Sequence, residues 1–170
     1  NQQNTICTRS DWTGLTTCQK VDLTDTKVIN SIPTTQINGS INLTDNATAN
    51  VKGLAKLNGN VTLTNHSQFT LSNNATQIGN IRLSDNSTAT VDNATLTGSV
   101  NLMNTSRFTL SNQATQIGKI SLHQQAQATV DNANLNGNVH LTDSAQFYLK
   151  NSHFSHQIQG DKGTTVTLEN

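Results

Sequence analysis

Leucine recurs along the chain at a nearly fixed interval: Leu23, Leu43, Leu63, Leu83, Leu102, Leu122 and Leu141. Two residues before each stands a Val or Ile: Val21, Ile41, Val61, Ile81, Val100, Ile120 and Val139. The steps between these openers are 20, 20, 20, 19, 20 and 19 residues. From Gly39 onward, with Gly59, Gly79, Gly98, Gly118 and Gly137, a glycine lies two positions before each opener. Further along each unit, Ala49, Phe69, Ala89, Phe108, Ala128 and Phe147 alternate small and large, each followed two positions on by Val or Leu. A third apolar column reads Ala75, Ala94, Ala114 and Ala133, followed by Ile78, Leu96, Ile117 and Leu135. Apolar residues alternating with polar ones predict strands with one buried face.

Three short strands in 19 or 20 residues cannot enclose a private core. Such a unit buries its apolar face only by stacking on its neighbours, as solenoid repeats do. The pattern therefore predicts an all-β chain, a right-handed parallel β-helix with three strands per coil. About seven coils at roughly 4.8 Å each make a rod of ~35 Å. One phrase occurs twice: FTLSNNATQIG at Phe69–Gly79 and FTLSNQATQIG at Phe108–Gly118, 39 positions apart with ten of eleven residues shared. The Ala/Phe alternation accounts for that spacing. Adjacent phenylalanines would crowd and adjacent alanines would leave a void, so the structural repeat is two coils.

The corners carry polar columns. Asp25, Asp45, Asn65, Asp85, Asn104, Gln124 and Asp143 follow the leucines by two residues, and Asn73, Asn93, Asn112, Asn132 and Asn151 follow the second strand. Asn and Asp tolerate left-handed backbone angles, and stacked amides hydrogen-bond along a column. The numerous Asn-x-Ser/Thr triplets are by-products of this pattern. The repeat gives two regions: residues 1–20, outside the register and expected as a loop or hairpin, and residues 21–170, the β-helix stem. After Phe147 the segment NSHFSHQIQGDKG is expected to lengthen one coil, with a loop near Gly160–Gly163.

Composition narrows the possible roles. Charged residues are 12% of the chain, against about 25% in ordinary globular proteins. The net charge is zero and no basic run stands out, which disfavours a nucleic-acid partner. No apolar run is long enough for a membrane-spanning helix. The chain starts without Met and stops inside its own pattern, and it reads as a piece of a longer one. Cys7 and Cys18, the only cysteines, flank Trp12 in a short loop. A disulfide in an oxidising compartment is the favoured reading, with a pair of free thiols as the alternative.

Candidate chemistry is sparse. Asp92 and Asp131 fall in one outward column two coils apart, near the carboxylate separation of inverting glycosidases, but the residues around them predict neither a cleft nor an aromatic sugar platform. They read as solvated corner residues. His153 and His156 are close in sequence without a clear third ligand, so no metal or cofactor is expected. The outward face of the second strand is more informative. One column holds Thr70, Thr90, Thr109, Thr129 and Tyr148, and its neighbour holds Arg107, Gln127 and Gln146. A long, polar, nearly uncharged wall can meet a copy of itself without charge repulsion. These residues are the candidate self-association face.

The segment TICTRSDWTGLTTCQK followed by these coils resembles the passenger of secreted serine-protease autotransporters. The likeness is to the adhesion and penetration autotransporters of Haemophilus and their neisserial and immunoglobulin-A-protease-type relatives. It covers nearly the whole chain, and SDWTGL between the cysteines is its specific part. The resemblance implies a parent chain with an N-terminal trypsin-like protease, a long β-helix and a C-terminal membrane barrel. The Gly-Asp-Ser-Gly nucleophile motif does not occur in these 170 residues, so no protease residue is carried over and this segment is expected to be non-enzymatic. It implies a distal stem at the bacterial surface, outer-membrane-anchored or secreted, that mediates self-association between cells and adherence to host matrix proteins. The alternative role is a passive spacer that aids folding and secretion.

Overall fold

The computed structural model describes residues 6–7, 20–31 and 36–170. The chain winds as a parallel β-helix with three strands in each coil, and every strand pairs in parallel with its equivalents in the coils before and after. Among the described residues the first sheet has nine strands, the second eight and the third seven. The first sheet begins with Ile6–Cys7, paired in parallel with Lys20–Val21. It continues through Ser40–Leu43 and the later Val/Ile-x-Leu strands to Ile158–Gly160. The Cys7–Cys18 pairing lies outside the described residues.

The register follows the columns of the sequence. Val21 pairs with Ile41, Ile41 with Val61, Val61 with Ile81 and Ile81 with Val100. The openers and leucines are fully buried. In the second sheet Phe69 pairs with Ala89, Ala89 with Phe108, Phe108 with Ala128 and Ala128 with Phe147. All five are buried, so the alternation of size is the packing of the interior.

The third sheet departs from the sequence reading at two residues. Ile78 and Ile117, expected inside, are 62% and 46% exposed, while Gln77 and Gln116 are 1% and 0% exposed. The inward column is Leu57, Gln77, Leu96, Gln116 and Leu135. The cause is period two: Leu96 and Leu135 stand two residues after Ala94 and Ala133, but Ile78 and Ile117 stand three after Ala75 and Ala114. The buried amides have a structural task. Gln77 Nε2 donates to the Gly59, Gly79 and Asn80 carbonyls at 3.2, 3.4 and 3.5 Å. Gln116 Nε2 donates to Gly98, Gly118 and Lys119 at 3.2, 3.3 and 3.2 Å. Each glutamine thus serves two successive glycines of the column, and one glutamine per two coils covers four of them. Gln116→Leu removes one side-chain acceptor without a donor, Oε1, but strips three carbonyls of this donor. Its expected cost is about 1–3 kcal/mol, read from urea denaturation followed by circular dichroism.

Corner chemistry sets the coil length. Asp25, Asp45, Asn65, Asp85, Asn104, Gln124 and Asp143 all have φ between 52° and 60°. Each of the first six donates its backbone N–H to the side chain of its equivalent in the next coil, as in Asp45 to Asn65 Oδ1 (3.1 Å) and Gln124 to Asp143 Oδ2 (2.9 Å). The expected ladder thus runs chiefly from backbone to side chain. At the next corner, two left-handed residues, Asn73–Asn74 and Asn112–Gln113, turn two of the 20-residue coils, whereas Asn93 and Asn132 turn their 19-residue coils alone. The expected long coil after Phe147 is not there. Val139 pairs with Ile158, a 19-residue step, and Asp161 N donates to the Leu141 carbonyl at an ordinary corner. The segment looked irregular because His156 follows Gly137 in the glycine column and Gly160 pairs with Leu141.

Candidate functional site

The second sheet has the longest regular strands, of five residues from Thr48–Lys52 to Thr165–Glu169. β-Branched threonine suits this position, because its stiff side chain stands off a pleated surface whose other face is buried. Odd positions of each strand point out and even ones point in, as the buried/exposed alternation of Gln68–Ser72 shows. The outward face therefore carries three parallel columns.

The central column brings together Thr70, Thr90, Thr109, Thr129 and Tyr148 in direct register. The same pairings align Gln68, Thr88, Arg107, Gln127 and Gln146 as its neighbour. All eight residues singled out from the sequence thus lie on one face. The four central threonines are half-buried by their neighbours, and none makes a side-chain hydrogen bond with a described residue. Their hydroxyls are free for an external partner. Arg107, exposed and without an acidic partner among the described residues, is the sole cation in these two columns between Thr70 and Tyr148.

The third column reads Lys52, Ser72, Asp92, Ser111, Asp131 and Lys150. Asp92 and Asp131 are separated in it by Ser111, whose Oγ donates to Asp92 Oδ1 at 3.3 Å. Toward the last coil Tyr148 replaces the threonines. A hydrogen bond with the Glu169 side chain holds its phenol above the ordinary value. Among the described residues no group of three His, Cys, Asp or Glu side chains is placed to hold a metal ion. His156 Nε2 contacts Asn136 Oδ1 at 2.5 Å, while His153 sits one coil above Asn134 in the third sheet.

Comparison with known proteins adds lineage to this geometry. The model of the PIC/HAP1/IgA0 second beta-solenoid repeat region matches residues 1–71 and 111–168. Two adhesion and penetration protein autotransporters of Haemophilus influenzae, one of them from strain Rd, are 76% and 71% identical to the chain over all 170 residues. The chain spans 9% of the length of each. A crystal structure of the Haemophilus influenzae Hap adhesin superposes with a TM-score of 0.57 at 32% identity, over 90% of this chain and 26% of that one.

Proposed function

The chain belongs to the PIC/HAP1/IgA0 β-solenoid repeat family, and from that premise we propose that it is an adhesive stem segment of an autotransporter passenger at the bacterial surface. In this reading its second-sheet face holds cells together by contact with the same face of another copy, and the rod also adheres to host matrix proteins. A membrane barrel and a serine-protease domain belong to the longer parent chain in the same proposal. The observation that carries the reading is the central column of free threonine hydroxyls, in register and bordered on one side by a column that includes Gln68, Gln127 and Gln146. Hydrogen bonds contribute only about 0.5–1.5 kcal/mol each, so a polar face of this kind depends on length and on many copies acting together.

A second reading, a passive spacer, is favoured by the unbroken core, which runs from Val21 to Phe147. Mixed aggregation separates the two. Two differently labelled cell populations displaying the full passenger are expected to form mixed aggregates, and Thr90→Lys with Thr109→Lys is expected to abolish them. Lysine at these outward positions sets like charges against each other across a mated pair. Aggregation that persists at equal surface display sinks the assigned face, and absence of aggregation from the unaltered passenger favours the spacer.

A further inference from the structure

Two shallow grooves of about 290 and 300 Å³ adjoin on the outward face of the first sheet, away from the threonine face, and share Asn80 and Arg82. Together they run from Thr62 past Arg82 and Asn101 to Ser121, three coil steps or roughly 14 Å. Arg82 and Lys119, 37 residues apart in sequence, both line the 290 Å³ groove, as does His123. Neither cation makes an ion pair or side-chain hydrogen bond with a described residue. No carboxylate lines either groove.

The remaining polar groups are mostly donors. Asn80 Oδ1 accepts from the Ser99 N–H at 2.9 Å, which leaves its amide hydrogens. His123 Nδ1 is engaged with Thr142 Oγ1 at 2.9 Å, which leaves Nε2. Ser99 and Ser121 add hydroxyls. In the floor, Asn101 Oδ1 is buried with no donor, a place that a ligand hydroxyl can fill when the side chain turns.

We propose that this trough binds an extended acidic glycan, its sulfate or carboxylate groups on Arg82 and Lys119 and its hydroxyls on the amide and serine floor. Its elongation fits a linear chain better than a single ion. The mixture of two cations with several hydroxyl and amide groups fits an acidic sugar better than an all-carboxylate peptide. Three of the aspartates of a second copy are poor occupants. Asp45, Asp85 and Asp143 already accept backbone N–H groups of the preceding coil. The proposal does not depend on self-association.

Isothermal titration of the chain tests it. The probes are a heparin-type sulfated oligosaccharide, the same oligosaccharide desulfated, sodium sulfate and a polyglutamate peptide. The sulfated oligosaccharide is expected to bind, with affinity falling as salt rises, and the other three to bind much more weakly. Arg82→Gln with Lys119→Gln is expected to weaken binding about a hundredfold, roughly tenfold per charged contact. Lys52→Gln with Lys56→Gln, which removes the same charge from the other two faces, is expected to leave it unchanged. Circular dichroism confirms the fold of each variant. Four results overturn the proposal: no binding by the unaltered chain, an undiminished affinity in the groove variant, an equal loss in the control variant, or equal binding of sulfate alone or of polyglutamate.

Discussion

Gly98→Ala is expected to destabilise the solenoid by more than about 4 kcal/mol, beyond the range of ordinary substitutions. A Cβ on Gly98 would stand 1.9 Å from the Gly79 carbonyl oxygen, and the same collision recurs at Gly59, Gly79, Gly118 and Gly137, at 1.9–2.1 Å. The atoms met are backbone, so no side chain can swing away. The coils would have to part, breaking the Gly79 N–H bond to Thr97 and the Gly98 N–H bond to Ile117, both 2.9 Å. Space sets this requirement at all five glycines. At Gly79 and Gly118, whose φ values are 151° and 150°, backbone conformation adds to it. Gly53 is the control. It also has a positive φ, 71°, but Gly53→Asn is expected to be tolerated because Asn73 holds the equivalent position with φ 55°. Urea denaturation of both variants reads the difference, and a Gly98→Ala chain as stable as Gly53→Asn contradicts the account of the glycine column.

Phe108→Ala is the second large effect, with an expected loss of about 3–5 kcal/mol. Phe108 is 1% exposed and lies between Ala89 and Ala128. Truncation leaves three alanines in succession, and neither neighbour has the side-chain length to fill the space. The reverse change, Ala128→Phe, puts a third ring between Phe108 and Phe147 and is expected to cost about 1–3 kcal/mol through overpacking. If size alone mattered, adding a large apolar residue would stabilise the chain. Losses in both directions are the mark of an interior set by alternation, and equilibrium unfolding of the two variants measures them.

These effects show which parts of the structure the sequence made legible. Seven Val/Ile-x-Leu openers at a 19- or 20-residue spacing admit few arrangements, because three short half-apolar strands bury their faces only against copies of themselves. The alternation of Ala49, Phe69 and Ala89 revealed the two-coil repeat in the same way. The left-handed corners followed from Asn and Asp, whose short side chains suit that backbone region. Ile78 and Ile117 take the inward place of Gln77 and Gln116 in the sequence reading because their apolar character outweighs the strict period of two. The step from Ala75 to Gln77 is the step from Ala94 to Leu96, and that equivalence was the available signal. The reason for the amides lies in the glycine carbonyls of neighbouring coils, which no linear pattern displays.

The site was legible in the same uneven way. Thr70, Thr90, Thr109 and Thr129 form a column because the register is regular, so adding coil lengths was enough to place them together. Arg82 and Lys119 gave no such sign. They occupy different positions in their coils, on the outward column of the first sheet and at the corner leading into it. Only the folded rod brings these unlike positions into one groove. A net charge of zero spread over the chain also hid a local excess of positive charge.

The self-association account is tested most directly by sedimentation velocity of the 170-residue chain over a wide concentration range, beside the Thr90→Lys, Thr109→Lys variant. The account predicts reversible oligomers that grow with concentration in the unaltered chain and a monomer in the variant. A monomer at every concentration, or oligomers that the two lysines leave intact, contradicts it.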